Sequence, residues 1–111
     1  MGRGQEIKNT VQMKEPLVSV IIIDYKKDNP YLVECLESIR NQSYKNFETI
    51  LLTDYSTKLT YPNLIKKSYG KYTGPAKKRD DGAKLAKGDI LAFIDDDAYP
   101  SPEWLEEIVK E

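Results

Sequence analysis

Histidine is absent from this 111-residue chain, and cysteine occurs once, as Cys35. The first absence excludes histidine-ligated zinc and histidine acid–base catalysis. The second excludes a disulfide within the chain, and Cys35, set in an amphipathic helix pattern, reads as a small core residue. Any metal is then a hard cation on oxygen ligands, Mg2+ or Mn2+. A surplus of one charge is missing too, since 17 Lys and Arg face 18 Asp and Glu. Nucleic-acid binding needs a clustered basic excess, and none is present. The densest basic stretch, Lys77-Lys78-Arg79, runs into Asp80-Asp81 and reads as a solvated helix face. Long apolar runs are also lacking. Met1 to Pro16 is polar, with no signal core and no transmembrane segment, and Glu6 stands where a myristoylation signal needs Ser or Thr. These absences point to a cytoplasmic protein, or one that is membrane-associated in a longer form.

What is present suffices for one domain, with residues 1–16 as a flexible leader and 17–111 as the folded unit. Leu17 to Ile23 is a β-branched run too short for a typical helix and without alternating polarity. That pattern predicts a strand buried on both faces of a parallel sheet. Asn29 and Pro30 form a helix start, and Leu32, Leu36 and Ile39 recur at helical spacing up to Asn41-Gln42. Phe47 to Thr53 predicts a second strand. Tyr55 to Gly74 is read as a short helix and a third strand around Ile65 to Tyr69. Pro75 to Lys87 predicts a helix stopped by Gly88, its inner face made of Ala76, Ala83 and Ala86. Ile90 to Ile94 is a further strand, and Ser101 with Pro102 predicts the start of a last helix carrying Leu105, Ile108 and Val109. Alternating strands and helices imply a three-layer α/β/α, mostly parallel open sheet, Rossmann-like in kind.

Such sheets bind ligands at the carboxyl ends of their strands, near the switch in strand order. Carboxylates stand at three of those ends here: Asp24, Asp54 and the run Asp95-Asp96-Asp97. Consecutive carboxylates repel each other unless a cation compensates. Side chains alternate along an extended chain, so Asp95 and Asp97 share a side and Asp96 turns away, toward local backbone bonds. That spacing suits Mg2+ or Mn2+ bound jointly with phosphate oxygens. A calcium loop needs more oxygen ligands and a mid-loop glycine; Ala98, Tyr99 and Pro100 follow instead.

Taken in order, these segments resemble family 2 glycosyltransferases of the GT-A fold. Val18–Tyr25, Leu36–Tyr44, Phe47–Ser56, Arg79–Gly82 with Ala86–Asp89, and above all Ala92–Leu105 resemble successive motifs, so that the likeness spans 17–109. The resemblance implies that this is the nucleotide-sugar-binding half of such an enzyme. It places Tyr25 at the nucleobase, Asp54 on the base edge, Arg79 at the diphosphate, Asp95 by the ribose and the metal, and Asp97 on the metal. Asp96 belongs to the same nucleotide-sugar-binding cluster. The implied donor is a nucleotide-diphosphate sugar, UDP-linked for preference, in an inverting transfer with Mn2+ or Mg2+.

The sequence also departs from the family pattern. Ile23 and Asp24 replace the usual proline and threonine, and Tyr55 replaces a glycine, which leaves the base open. The family's catalytic domain continues for roughly another domain's length. The acceptor site and catalytic base are expected there, and this chain, read as an engineered fragment or a natural truncation, is expected to bind donor without turnover. Two other readings share some residues: a non-catalytic nucleotide and metal module, and a phosphoacceptor receiver domain. The second wants an acidic pair after the first strand, where Asp24 stands alone.

Overall fold

β-branched and aliphatic runs make strands here because their stiff side chains pack well on a pleated surface. The computed structural model describes residues 15–111. Its elements, in chain order, are β1 (Val18–Asp24), α1 (Pro30–Arg40), β2 (Phe47–Thr53), β3 (Leu64–Ser68), α2 (Pro75–Leu85), β4 (Ile90–Asp95) and α3 (Trp104–Lys110). The strands form one sheet in the order β3-β2-β1-β4, every pairing parallel. Central β1 is flanked by β2 and β4, with Asp24 opposite Thr53 and Ile23 opposite Asp95. The strand order therefore reverses between β1 and β4.

One face of the sheet carries most of the core. Val18, Val20, Ile22, Leu51 and Ala92 pack there with Leu32, Cys35, Leu36 and Ile39 of α1 and Leu105 of α3. Burying one such aliphatic side chain contributes about 1.5–3 kcal/mol. On the other face Ile21, Ile50 and Leu52 form a smaller cluster with Ile65, Tyr69 and Ala86. The expected α/β/α layering is therefore present, with unequal outer layers.

α1 starts as its sequence demands: Pro30 is at its first turn and Asn29 Oδ1 accepts from the Tyr31 amide at 3.0 Å. Elsewhere the structure corrects the sequence reading. Tyr55 to Gly74 contains β3 but no helix; Leu59 and Tyr61 of the irregular crossover pack against the α1-side core. α2 ends at Leu85, and it turns Lys78 and Gly82 toward the sheet while Ala76 and Ala83 face solvent. Gly82 allows the close approach: a Cβ there would lie 2.7 Å from Ile21 Cγ2. α3 begins at Trp104, two residues after Pro102, and Ser101 does not cap it. Buried Gln42 supplies the missing acceptor, its Oε1 taking the Leu105 amide at 2.9 Å while its Nε2 donates to Ser101 O at 2.7 Å.

The amino ends of the strands are tied by polar contacts. Glu48 Oε2 accepts from Ser19 Oγ at 2.6 Å and from the Lys87 amide at 2.7 Å, and the Gly88 amide donates to Ser19 Oγ at 2.8 Å. Of the expected leader, residues 1–14 lie outside the described residues; Glu15 O accepts from Asn46 Nδ2 at 2.8 Å, and Pro16 O accepts from the Tyr44 hydroxyl. Among the described residues no helix is long and apolar enough to cross a membrane.

Candidate functional site

A cavity of about 720 Å3 opens at the carboxyl ends of β1 and β4, where the strand order reverses. Its walls come from β1 (Ile21, Ile23, with Tyr25 just beyond), the start of α2 (Pro75, Arg79), and β4 with the turn after it, Phe93 to Pro100. A parallel sheet puts all these strand ends at one pole, and α2 lies on the thin face, so its first turns reach the same opening. Tyr25, Arg79, Asp95, Asp96 and Asp97 thus share one cavity. Asp54 is not on its wall.

Asp54 and Asp24 are buried and engaged. Asp54 is 2% exposed, and its Oδ1 accepts from the Lys78 ammonium at 2.8 Å and the Thr73 amide at 3.0 Å. Asp24 accepts from Asn29 Nδ2 at 3.0 Å and from Thr53 Oγ1 at 2.9 Å. The solvated-face reading of Lys77-Lys78-Arg79 fails at its middle residue. Lys78 is wholly buried, donates to Asp24 O at 3.0 Å as well as to Asp54, and holds its ammonium 3.6 Å from the Tyr25 ring centroid. A buried charge is tolerable only when paired and hydrogen-bonded in this way. The signal in the sequence is its place four residues before Gly82, the one residue of α2 small enough to sit against Ile21. Lys77 and Arg79 stay exposed; Lys77 pairs with Asp81 at 3.2 Å, and Arg79 makes no salt bridge among the described residues.

The three consecutive acids do not lie on one extended chain as expected: Asp95 ends β4, and Asp96 and Asp97 stand in a turn that the Ala98 amide closes on Asp95 O at 3.1 Å. Asp95 and Asp97 are exposed, and neither carboxylate has a hydrogen-bond partner among the described residues. Asp96 turns inward, though not to local backbone: its Oδ2 accepts from Asn29 Nδ2 at 3.1 Å. Asn29 therefore caps α1 and bridges Asp24 to Asp96. Burial, with the Asp24 carboxyl beside it and the Asp97 charge, pushes Asp96 up to about 6; Lys26 opposes this. Burial, with the negative field of Asp96 and Asp97, pushes the Cys35 thiol up to about 12, so it stays protonated behind the loop and is no nucleophile. Sequence reasoning missed Tyr72, whose ring stacks on Tyr25 with centroids 5.9 Å apart and planes 23° apart.

No three acidic or thiol side chains among the described residues converge on a metal by themselves. Mg2+ is normally held by one or two carboxylates plus substrate phosphates, and the open pair Asp95 and Asp97 fits that donor set.

Residues 19–111 match the family described as glycosyl transferase family 2. The chain belongs to that family. An uncharacterized glycosyltransferase of Haemophilus influenzae is 36% identical over 104 residues, covering 85% of this chain and 32% of that protein. The crystal structure of Staphylococcus aureus TarS 1-349 in complex with UDP is similar at a TM-score of 0.72 and 28% identity, over 84% of this chain and 31% of that one. The mannosyltransferase PcManGT of Pyrobaculum calidifontis, in complex with GDP-Man and Mn2+, is similar at 0.69 and 25% identity, over 81% and 30%. The chain spans between 13% and 41% of the length of the curated relatives it matches.

Proposed function

We propose that this chain is the donor-binding part of a glycosyltransferase, taking a nucleoside-diphosphate sugar through a divalent cation. The observation that carries the reading is the cavity at the strand-order switch, into which Tyr25, Arg79 and the open pair Asp95 and Asp97 converge. In this reading Asp97, with Asp95, holds Mn2+ or Mg2+, and Arg79, unpaired by acid among the described residues, faces the diphosphate. The cation, when bound, offsets the charge of the nucleoside-diphosphate leaving group. Tyr25 lies under the base, held from below by Lys78. Asp54 reads the base edge with the oxygen that Lys78 and Thr73 leave open. Asp96 acts through Asn29, fixing the loop that presents its two neighbours.

UDP is the favoured nucleotide, on the likeness to the UDP complex of TarS; the GDP-Man complex of PcManGT supplies the competing base. Inverting transfer is part of the proposal, and no catalytic base is assigned in this chain. So is a cytoplasmic location, with membrane association in a longer form. A phosphoacceptor role is disfavoured, because Asp24 stands alone after β1 where a receiver domain carries an acidic pair.

Calorimetric titration of UDP with and without Mn2+ tests the reading. Asp97→Asn should abolish the Mn2+-dependent part of UDP binding and leave the unfolding transition in place, since Asp97 is exposed. Unchanged Mn2+ and UDP affinity in the folded variant would refute the assignment.

A further inference from the structure

We propose that Tyr72 is the second wall of a nucleobase clamp, facing Tyr25. The two walls are held very differently. Tyr25 is half-buried and fixed, its ring resting on the buried Lys78 ammonium at 3.6 Å. Tyr72 is 73% exposed, so no core packing accounts for its position; its one aromatic neighbour among the described residues is Tyr25, at 5.9 Å. A planar base between two rings needs them about 7 Å apart, two carbon contact distances. The present spacing falls short of that by about 1 Å.

The loop that carries Tyr72 is built for such an adjustment. Gly70, at φ +76°, and Gly74 flank its tip. Its two feet are pinned to one residue, Asp54: the Gly70 amide donates to Asp54 O at 2.9 Å and the Thr73 amide to Asp54 Oδ1 at 3.0 Å. Lys71 and Tyr72 form the exposed tip between those anchors. The clamp thus stands over the residue assigned to the base edge. It supplies stacking, which every base offers, while Asp54 supplies discrimination.

The inference rests on the reading that the cavity binds a nucleoside diphosphate, and the test separates the two. Titrate the wild-type chain, Tyr72→Ala and Tyr72→Phe with UDP and with inorganic pyrophosphate, each in Mn2+. Pyrophosphate reports the metal and diphosphate contacts without a base. Wild type is expected to bind UDP more tightly than pyrophosphate. Tyr72→Ala should weaken UDP about tenfold or more, the loss of one stacked face, and leave pyrophosphate unchanged. Tyr72→Phe should keep UDP within about twofold, because the ring face is retained. The melting temperature of all three should agree, since Tyr72 is mostly in solvent. UDP affinity unchanged in Tyr72→Ala, or an equal loss for UDP and pyrophosphate, overturns the clamp and leaves the cavity assignment standing. Wild type that binds neither ligand overturns both.

Discussion

The two faces of the sheet differ in what they are built from. The α1 side is a thick aliphatic layer, capped by two helices and sealed by Leu59 and Tyr61 of the crossover. The α2 side is thin: three buried aliphatics, one helix, and two apolar residues of β4, Leu91 and Phe93, left 41% and 46% exposed. The thin side has the cavity, the buried lysine and the tyrosine pair. The thick side has openings too, of about 630 Å3 beside Asp24, Asn29 and Leu32 and about 190 Å3 beside Leu36 and Ile39, but neither lies at the switch in strand order. Most of the buried aliphatic side chains lie on one face, and the other carries the buried lysine at the strand ends.

The largest test of this division is Lys78→Ala. Removing one partner of a buried pair should cost about 3–5 kcal/mol in urea unfolding, because Asp54 is left charged and unpaired. Replacing both, as Lys78→Met with Asp54→Leu, should recover most of that loss. A cost under 1 kcal/mol for the single variant would show that the thin side does not depend on its ion pair.

Truncations across the sheet come next. Leu51→Ala on the thick side should cost about 2–5 kcal/mol, and Leu91→Ala under about 0.5 kcal/mol, because only the first leaves a cavity. Equal costs would erase the difference between the faces. Gly82→Ala should then destabilise by about 1 kcal/mol, overpacking against Ile21 outweighing the gain in helix propensity.

The smallest effect is on acid stability. Tyr69 donates to Asp81 Oδ2 at 2.6 Å, and this bond, aided by Lys77, lowers the Asp81 carboxyl below its usual value. A depressed carboxyl stabilises the fold above its unfolded value, about 4, and the contribution is lost as pH falls through the folded one. Tyr69→Phe should therefore make stability less dependent on pH below about 4, the variant falling slightly below wild type at neutral pH and drawing level with it once the carboxyl is protonated in both states. An identical acid limb in the variant would remove this bond from the account.

Much of this was legible in the sequence, and the exceptions share a cause. β1, α1 and β2 could be read because each is buried by its own apolar residues, in a continuous run for the strands and at helical spacing for α1. The α2 face was misread because its inward positions are Lys78 and Gly82, which score as polar and as helix-breaking. Only the acids at the ends of β1 and β2, brought beneath that helix by the parallel crossovers, make a buried lysine sensible. The α3 start was misread because its cap comes from Gln42, which touches Ser101 in space but lies far from it in the sequence. Of the residues named from consecutive motifs, Tyr25, Arg79 and Asp95 to Asp97 line one cavity and Asp54 does not. Tyr72, in a glycine-flanked loop with no periodicity, was not readable. The contact to Lys78 also changes how Asp54 can be probed: Asp54→Ala would strip the ammonium of its partner along with any bond to a base.

Asn29 has a consequence for which substitutions the chain can accept. Aspartate ranks with asparagine among the best residues to begin a helix, and on that scale the exchange is neutral. Here the amide nitrogen is the part under demand, since it stands between the carboxylates of Asp24 and Asp96. An aspartate would keep the bond to the Tyr31 amide and place a third negative group where the first two now meet a donor. Position 29 therefore inverts the ordinary preference scale: the substitute that is most conservative for the helix is among the most disruptive for the acidic turn, and relatives that keep both acids should avoid it.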